Sequence, residues 1–476
     1  MRNQPQLIAY ADRLAGDLPG LRNVLTDELA GAFGGVHILP FFIPIDGSDA
    51  GFDPVDHSSV DPRLGTWADV AGLGTVVDVM ADLIVNHVSI NSAQFSDWRR
   101  HGEESAHAPM FLSPLDVFDG RMPTDTERSA IYRPRPTPPF HDVEFSDGSV
   151  RSVWSTFTHE QIDLDVESAA GWAYLIEILD RFSDAEVDLV RLDAIGYAIK
   201  RADTSCFMIP ETYEFIEQLA AAARARGMDV LVEVHGYHRD QIDVASRVDR
   251  VYDFALPPLT IDALTTGDAE PLRAWIGMRP NNAINVLDTH DGIGVIDVGV
   301  DQRDRSRPGL LPPERIHELV EGIHERSAGE SRQATGAAAS NLDLYQVNCT
   351  FYDALGRDDT RYLAARMIQL MLPGIPQIYY VGLLAGSNDM ELLAASGAGR
   401  DVNRHRYTAA EVDAALARPV VRQLLEMLRW RATDPAFDGD FELVDSPTGT
   451  LRMRWTNGPA VADRTIDLRT AEITPH

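Results

Sequence analysis

Apolar residues along this chain gather into short runs of strand length, and amphipathic stretches separate most of them. The runs are residues 6–11 (QLIAYA), 35–42 (GVHILPFF), 77–85 (VDVMADLIV), 187–193 (VDLVRLD), 228–234 (MDVLVEV), 250–256 (RVYDFAL), 284–289 (INVLDT) and 375–381 (IPQIYYV). Between them, segments such as GWAYLIEILDRF (171–182) and YEFIEQLAAAARARG (213–227) repeat their apolar positions with the helical period. Eight such runs alternating with helices predict an α/β fold, a (β/α)8 TIM barrel, because strands of a parallel sheet are covered on both faces and read as near-continuous apolar runs. Periodicity alone also fits an open doubly wound sheet, but no G-x-G-x-x-G follows the first run.

The spacing is uneven. Residues 86–186 separate the third and fourth runs and include IYRPRPTPPF (131–140); residues 290–374 separate the seventh and eighth and include GESRQATGAAASNLDLYQ (329–346). Long connections in a barrel are usually binding or lid insertions. The expected division is barrel at 1–84, 168–292 and 357–436, inserted loop subdomains at 85–167 and 293–356, and a short C-terminal all-β domain at 437–476, where TLRMRWT (450–456) alternates. The most membrane-like stretch, 362–384, is interrupted by Arg366, Gln369, Pro373 and Gln377 and reads as a buried helix followed by a strand.

Charge narrows the classes of partner. With 42 basic and 73 acidic residues the net charge is −31, which disfavours nucleic acid and anionic membranes. Two cysteines, Cys206 and Cys349, make neither a disulfide scaffold nor a zinc cluster and suit a reducing compartment. The start, MRNQPQLIAYAD, lacks a signal-peptide core, so a cytoplasmic location is expected. Lys200 is the only lysine, no G-K-[ST] phosphate loop exists, and a solvated Lys200 near a helix start is expected.

Reading each run to its end brings chemistry into view. Asp49 and Phe52 lie just beyond the second run, His87 ends the third, Arg191 and Asp193 the fourth, Glu233 and His235 the fifth, His290 and Asp291 follow the seventh. Active sites of such barrels sit at this rim. Any one of these acids is explained by a structural ion pair, but three at equivalent positions suit retaining glycosidic chemistry, with one carboxylate as nucleophile and one carboxyl as acid. Arg191 precedes Asp193 by two residues, so both face one side of the strand and the guanidinium favours an ionised nucleophile. Glu233 sits in an apolar run with no adjacent cation, an environment expected to keep it protonated as the donor.

The words DAGFDPVDH, DLIVNH, VRLDAIGY, LVEVHGY and VLDTHDGIG resemble the signature regions of the α-amylase family of retaining α-glucosidic enzymes. GVHILPFF, IYRPRP, RVYDFALPPL, NNAINVLDTHDGIGVIDVG, QATGAAASNLDLYQVN and GRDVNRH narrow the resemblance to bacterial sucrose phosphorylases, over residues 6 to 435. The resemblance implies a hexosyltransferase reaction in which sucrose and phosphate exchange reversibly with α-glucose 1-phosphate and fructose. It makes Asp193 the nucleophile, Glu233 the acid then base, and Asp291 the stabiliser of the transition state. It places Asp49, Arg400, His87, Arg191 and His290 on glucosyl hydroxyls and Phe52 and Phe157 as apolar walls. Its acceptor side is carried over to Pro134, Arg135, Tyr197, His235, Leu342, Asp343, Tyr345 and Gln346, with Arg135 as the forked donor that phosphate needs. It implies no cofactor and no metal, inorganic phosphate as co-substrate, and homodimers; the β domain is shorter than in close relatives. Phosphorylases of sucrose 6′-phosphate, glucosylglycerol or glucosylglycerate, a hydrolase or transglucosidase, and a non-catalytic sugar-binding barrel remain open on these grounds.

Overall fold

Each apolar run contributes a strand to one closed parallel barrel, seen in a computed structural model that describes residues 2–47, 49–133, 137–336 and 346–476. The strands are β1 (Gln6–Ala9), β2 (Gly35–Ile38), β3 (Asp78–Ile84), β4 (Leu189–Asp193), β5 (Asp229–Val232), β6 (Arg250–Asp253), β7 (Ala283–Asn285) and β8 (Ile375–Tyr379). Neighbours in sequence are neighbours in space, and β8 closes on β1 with Leu7 opposite Ile378. The runs overshoot the strands because the turns after them are buried as well. Leu39, Phe41 and Val85 are fully covered although they lie outside the ladder.

The barrel interior is more polar than its runs imply. Gln6, His37, Asp82, Arg191, Asn285 and Gln377 are all buried. Most are paired within the barrel: Gln377 donates to Gln6 at 2.9 Å, His37 Nε2 lies 2.9 Å from Asp82, and Tyr252 donates to Gln377 at 3.3 Å. Buried polar groups are tolerated when paired in this way.

The two amphipathic segments form α1 (Ala169–Asp184) and α2 (Pro210–Arg224). Ser168 caps α1 by accepting from Gly171 N–H, and Leu175, Ile178, Leu179 and Phe182 form its buried stripe. The stretch 362–384 divides as read, into α3 (Asp359–Met371) and β8. No helix among the described residues is long and apolar enough to cross a membrane.

Between β3 and β4 the chain forms the hairpin of Phe140–Glu144 with Val150–Trp154, and the strand Gln161–Asp163 returns to pair with His87–Ser89. Between β7 and β8, Ile293–Gly294 pairs with Gln346–Val347. The C-terminal sheet is antiparallel, in the order β9 (Asp440–Val444), β10 (Thr450–Asn457), β11 (Ala460–Asp467), β12 (Ile473–Pro475). Leu451, Met453 and Trp455 of β10 turn inward at alternate positions, and Trp455 Nε1 donates to Met371 O of α3 at 2.7 Å.

Lys200 corrects its sequence reading. Its side chain is 1% exposed, and Nζ lies 2.7 Å from Asp163 and 2.6 Å from Asn86 Oδ1. A turn that buries a lysine stem also supplies the charge it needs. Cys206 and Cys349 are buried free thiols.

Candidate active site

The C-terminal ends of the strands converge on one pocket lined by Asp49, Phe52, His87, Phe157, Asp193, Ala194, Tyr197, Glu233, His235, His290, Asp291 and Arg400. Asp193 closes β4, Glu233 follows β5 by one residue, and Asp291 lies in the turn after β7. Parallel strands ending in one plane bring together acids far apart in sequence.

Arg191 is not a wall of this pocket. It lies beneath, 2% exposed, and Nη1 donates to Asp193 at 2.7 Å and to Asp82 in the strand alongside. The expected pairing is present, and it pins the Asp193 carboxylate from below. Burial nevertheless pushes the Asp193 carboxyl well above its ordinary range; Arg191 pulls it down, while Glu233, Asp82 and Asp291 push it up. The direct contact with Arg191 is the influence that favours the negative charge on Asp193.

Glu233 departs from its sequence reading in two ways. It stands past the end of β5, and it has a histidine beside it: His235 Nε2 is 3.8 Å from its carboxylate. His235 loses by burial, but Asp297 at 3.0 Å from Nδ1, then Glu233 and Asp291, raise its pKa above the ordinary value. The other side of Glu233 accepts from Ala194 N–H at 3.3 Å. Ala194, the residue after Asp193, holds a left-handed φ of 54°.

Asp291 is buried, which alone raises a carboxyl, but Arg400 at 2.7 Å and Arg404 hold it well below its usual range. His290 is driven down to about 3 by burial and is neutral; its ring stacks on Phe52 at 4.6 Å and 11°. His87 is lowered by burial and lies 2.9 Å from Phe52 O and 3.0 Å from Gln161 Nε2. Phe157 packs 5.1 Å from the rings of both His87 and Tyr197. Gln346 lies behind the wall, within 3.5 Å of His235 and 3.4 Å of Arg400. Pro134, Arg135, Leu342, Asp343 and Tyr345 lie outside the described residues.

Several contributors escaped the sequence reading. Asp82 neutralises Arg191 from behind, with His37 on its other oxygen; an acid in the middle of VDVMADLIV was the available signal. Asp297 accepts from Gly236 N–H and Gln241 as well as facing His235. Arg404 comes within 3.9 Å of both Asp49 and Asp291 and donates to His290 O at 2.9 Å. Glu233, His235 and Asp291 offer ligand atoms within 4.8 Å of one another, a spacing open to a cation, but the same atoms face the pocket where a sugar is to be held.

Residues 10–263 match the family described as Alpha amylase, catalytic domain. The chain is 57% identical over its whole length to a sucrose phosphorylase of Agrobacterium vitis, covering 97% of that protein. It is 51% identical, over 98% of this chain and 92% of the other, to a sucrose phosphorylase of Bifidobacterium adolescentis. The crystal structure of sucrose 6F-phosphate phosphorylase from Thermoanaerobacter thermosaccharolyticum superposes with a TM-score of 0.92 at 38% identity, over 100% and 95% of the two chains.

Proposed function

The chain belongs to the α-amylase family, in its sucrose phosphorylase branch, and from that premise we propose that it catalyses the reversible phosphorolysis of sucrose to α-D-glucose 1-phosphate and fructose. The observation that carries the reaction type is the meeting of Asp193, Glu233 and Asp291, from three strand ends, around one pocket. In this reading Asp193 attacks the anomeric carbon while Glu233 passes its proton to the departing fructose oxygen, leaving a β-glucosyl ester on Asp193. Hydrogen phosphate then attacks the same carbon, Glu233 takes the proton of that phosphate, and the ester breaks to return the Asp193 carboxylate. Two inversions return the α-configuration. Asp291, kept anionic by Arg400, favours the positive charge that develops on the ring.

A phosphate dianion beside three carboxylates needs cations. Arg135 is assigned that task, and the raised pKa of His235 supports a second cation on the acceptor side. The balance of the two steps calls for no cofactor or metal. A cytoplasmic setting fits the two free thiols, and the homodimer of the family likeness is to be read by sedimentation.

Incubation with sucrose, with and without phosphate, tests the function. The expected result is α-glucose 1-phosphate in excess over free glucose, unchanged by a chelator, and faster from sucrose than from sucrose 6′-phosphate. A β-configured sugar phosphate, or glucose formed equally fast without phosphate, overturns it.

A further inference from the structure

The chain's single lysine is buried at a junction that the catalytic steps leave unexplained. Lys200 follows β4 by seven residues, so it stands on the segment that leaves the nucleophile. Its Nζ lies 2.7 Å from Asp163 Oδ2, at the end of the strand returning toward β4, and donates at 2.6 Å to Asn86, the residue before His87. Neither side chain of the ion pair is more than 1% exposed.

Both anchors lead directly to walls of the pocket. Asp163 is paired in the ladder with His87, and its carboxylate accepts from Thr156 N–H at 2.9 Å and from the Thr156 hydroxyl. Thr156 precedes Phe157. Asn86 Nδ2 lies 3.5 Å from His87 Nδ1. One ammonium thus joins the segment carrying Asp193 and Tyr197 to the segments carrying His87 and Phe157. The same walls are also joined by the barrel ladder, where Ile84 faces Asp193 and Val85 N–H donates to Asp193 O at 3.2 Å, and by ring contact of Phe157 with Tyr197 and His87.

We propose that Lys200 is a positioning residue, setting His87 and Phe157 at their working distance from Asp193 through Asp163 and Asn86. This rests on the glucosyl-pocket reading above. A neutral linkage there leaves only the barrel ladder and the rings to hold the walls, and a displacement of about 1 Å at a reacting centre is worth up to about a hundredfold in rate.

Removing the lysine alone strands a buried carboxylate and endangers the fold. The informative variant is therefore the double substitution Lys200→Met with Asp163→Asn, which takes out both charges. Expected are a melting temperature within about 5 °C of the parent, a fall in kcat/KM for sucrose of about tenfold or more, and competitive inhibition by glucose weakened about fivefold. Being unique, the lysine also gives one signal in protein grown on 13Cε-lysine, and saturation of the parent enzyme with glucose is expected to shift it. Activity and glucose inhibition within about twofold of the parent, a loss that merely follows the folded fraction with glucose inhibition unchanged, or a lysine signal that glucose leaves in place overturns the proposal. Should the double variant fail to fold, the signal of the parent enzyme decides alone. The parent's own activity on sucrose, assayed alongside, tests the function separately from the role of Lys200.

Discussion

At the scale of single residues, Asp193 combines contradictory surroundings. Burial and three acids favour its protonated form, while one nitrogen of Arg191, itself balanced by Asp82, favours the charge needed for attack. Asp193→Asn and Glu233→Gln are each expected to lower kcat/KM for sucrose by about three orders of magnitude, or ~4 kcal/mol of transition-state stabilisation, measured as fructose release. His235 yields a pH prediction. Its pKa is raised in the folded state, so its stabilising contribution is fully present below the unfolded value of 6.5 and is lost as pH rises through the folded one. Asp297→Asn removes the main opposing charge; the expected result is a His235 titration moved to lower pH by NMR and a flatter alkaline limb of stability. Asp82 acts at the other end. Its carboxyl is lowered to about 2 although burial raises it, chiefly by His37 and Arg191, so its contribution disappears as pH falls from 3.8 toward about 2.

Among elements, the short strands matter less for their own stability than for where they stop. β4 ends at Asp193, and Ala194 turns immediately into a left-handed conformation that a side chain rarely adopts. The turn after β7 needs its glycine for a different reason. A Cβ on Gly294 stands 2.3 Å from Asp297 Oδ2 and 3.2 Å from His235 Nδ1, so DGIG leaves the space in which the acceptor-side histidine meets its counter-ion. Gly294→Ala is expected to cost about 1–3 kcal/mol in urea unfolding and to weaken phosphate more than sucrose, read as separate KM values.

The whole molecule holds its chemistry at one face of the barrel and much of its remaining stability elsewhere. Trp455 docks the C-terminal sheet on α3 by a hydrogen bond and packs its ring on Phe437 and Phe441 within its own unit. Trp455→Ala is expected to remove about 3–5 kcal/mol of stability, seen in thermal or urea unfolding, and to leave kcat/KM at 25 °C unchanged. Net charge acts over longer distances. At −31 the molecule repels a phosphate dianion but not sucrose, and salt at 0.1 M screens beyond about 10 Å. Raising ionic strength from a few millimolar is therefore expected to increase kcat/KM for phosphate and to leave that for sucrose flat, in steady-state assays.

Eight strands were legible in the chain because a parallel barrel writes itself as apolar runs, and the acids after them were legible because the rim is always the strand end. Local order also determined the pairing of Arg191 with Asp193, two residues apart on one pleated face. What no local pattern contains is which distant groups share a buried volume. Asp82 and His37 behind Arg191, Asp297 behind His235, Arg404 between Asp49 and Asp291, and Asp163 around Lys200 meet only when the barrel closes and its connections fold back. Burial and charge at a site depend on that closure, since desolvation and Coulomb interaction act through space rather than along the chain. The sequence by itself determined the strands and the acids at their ends; the tertiary structure decided which of those acids carry charge.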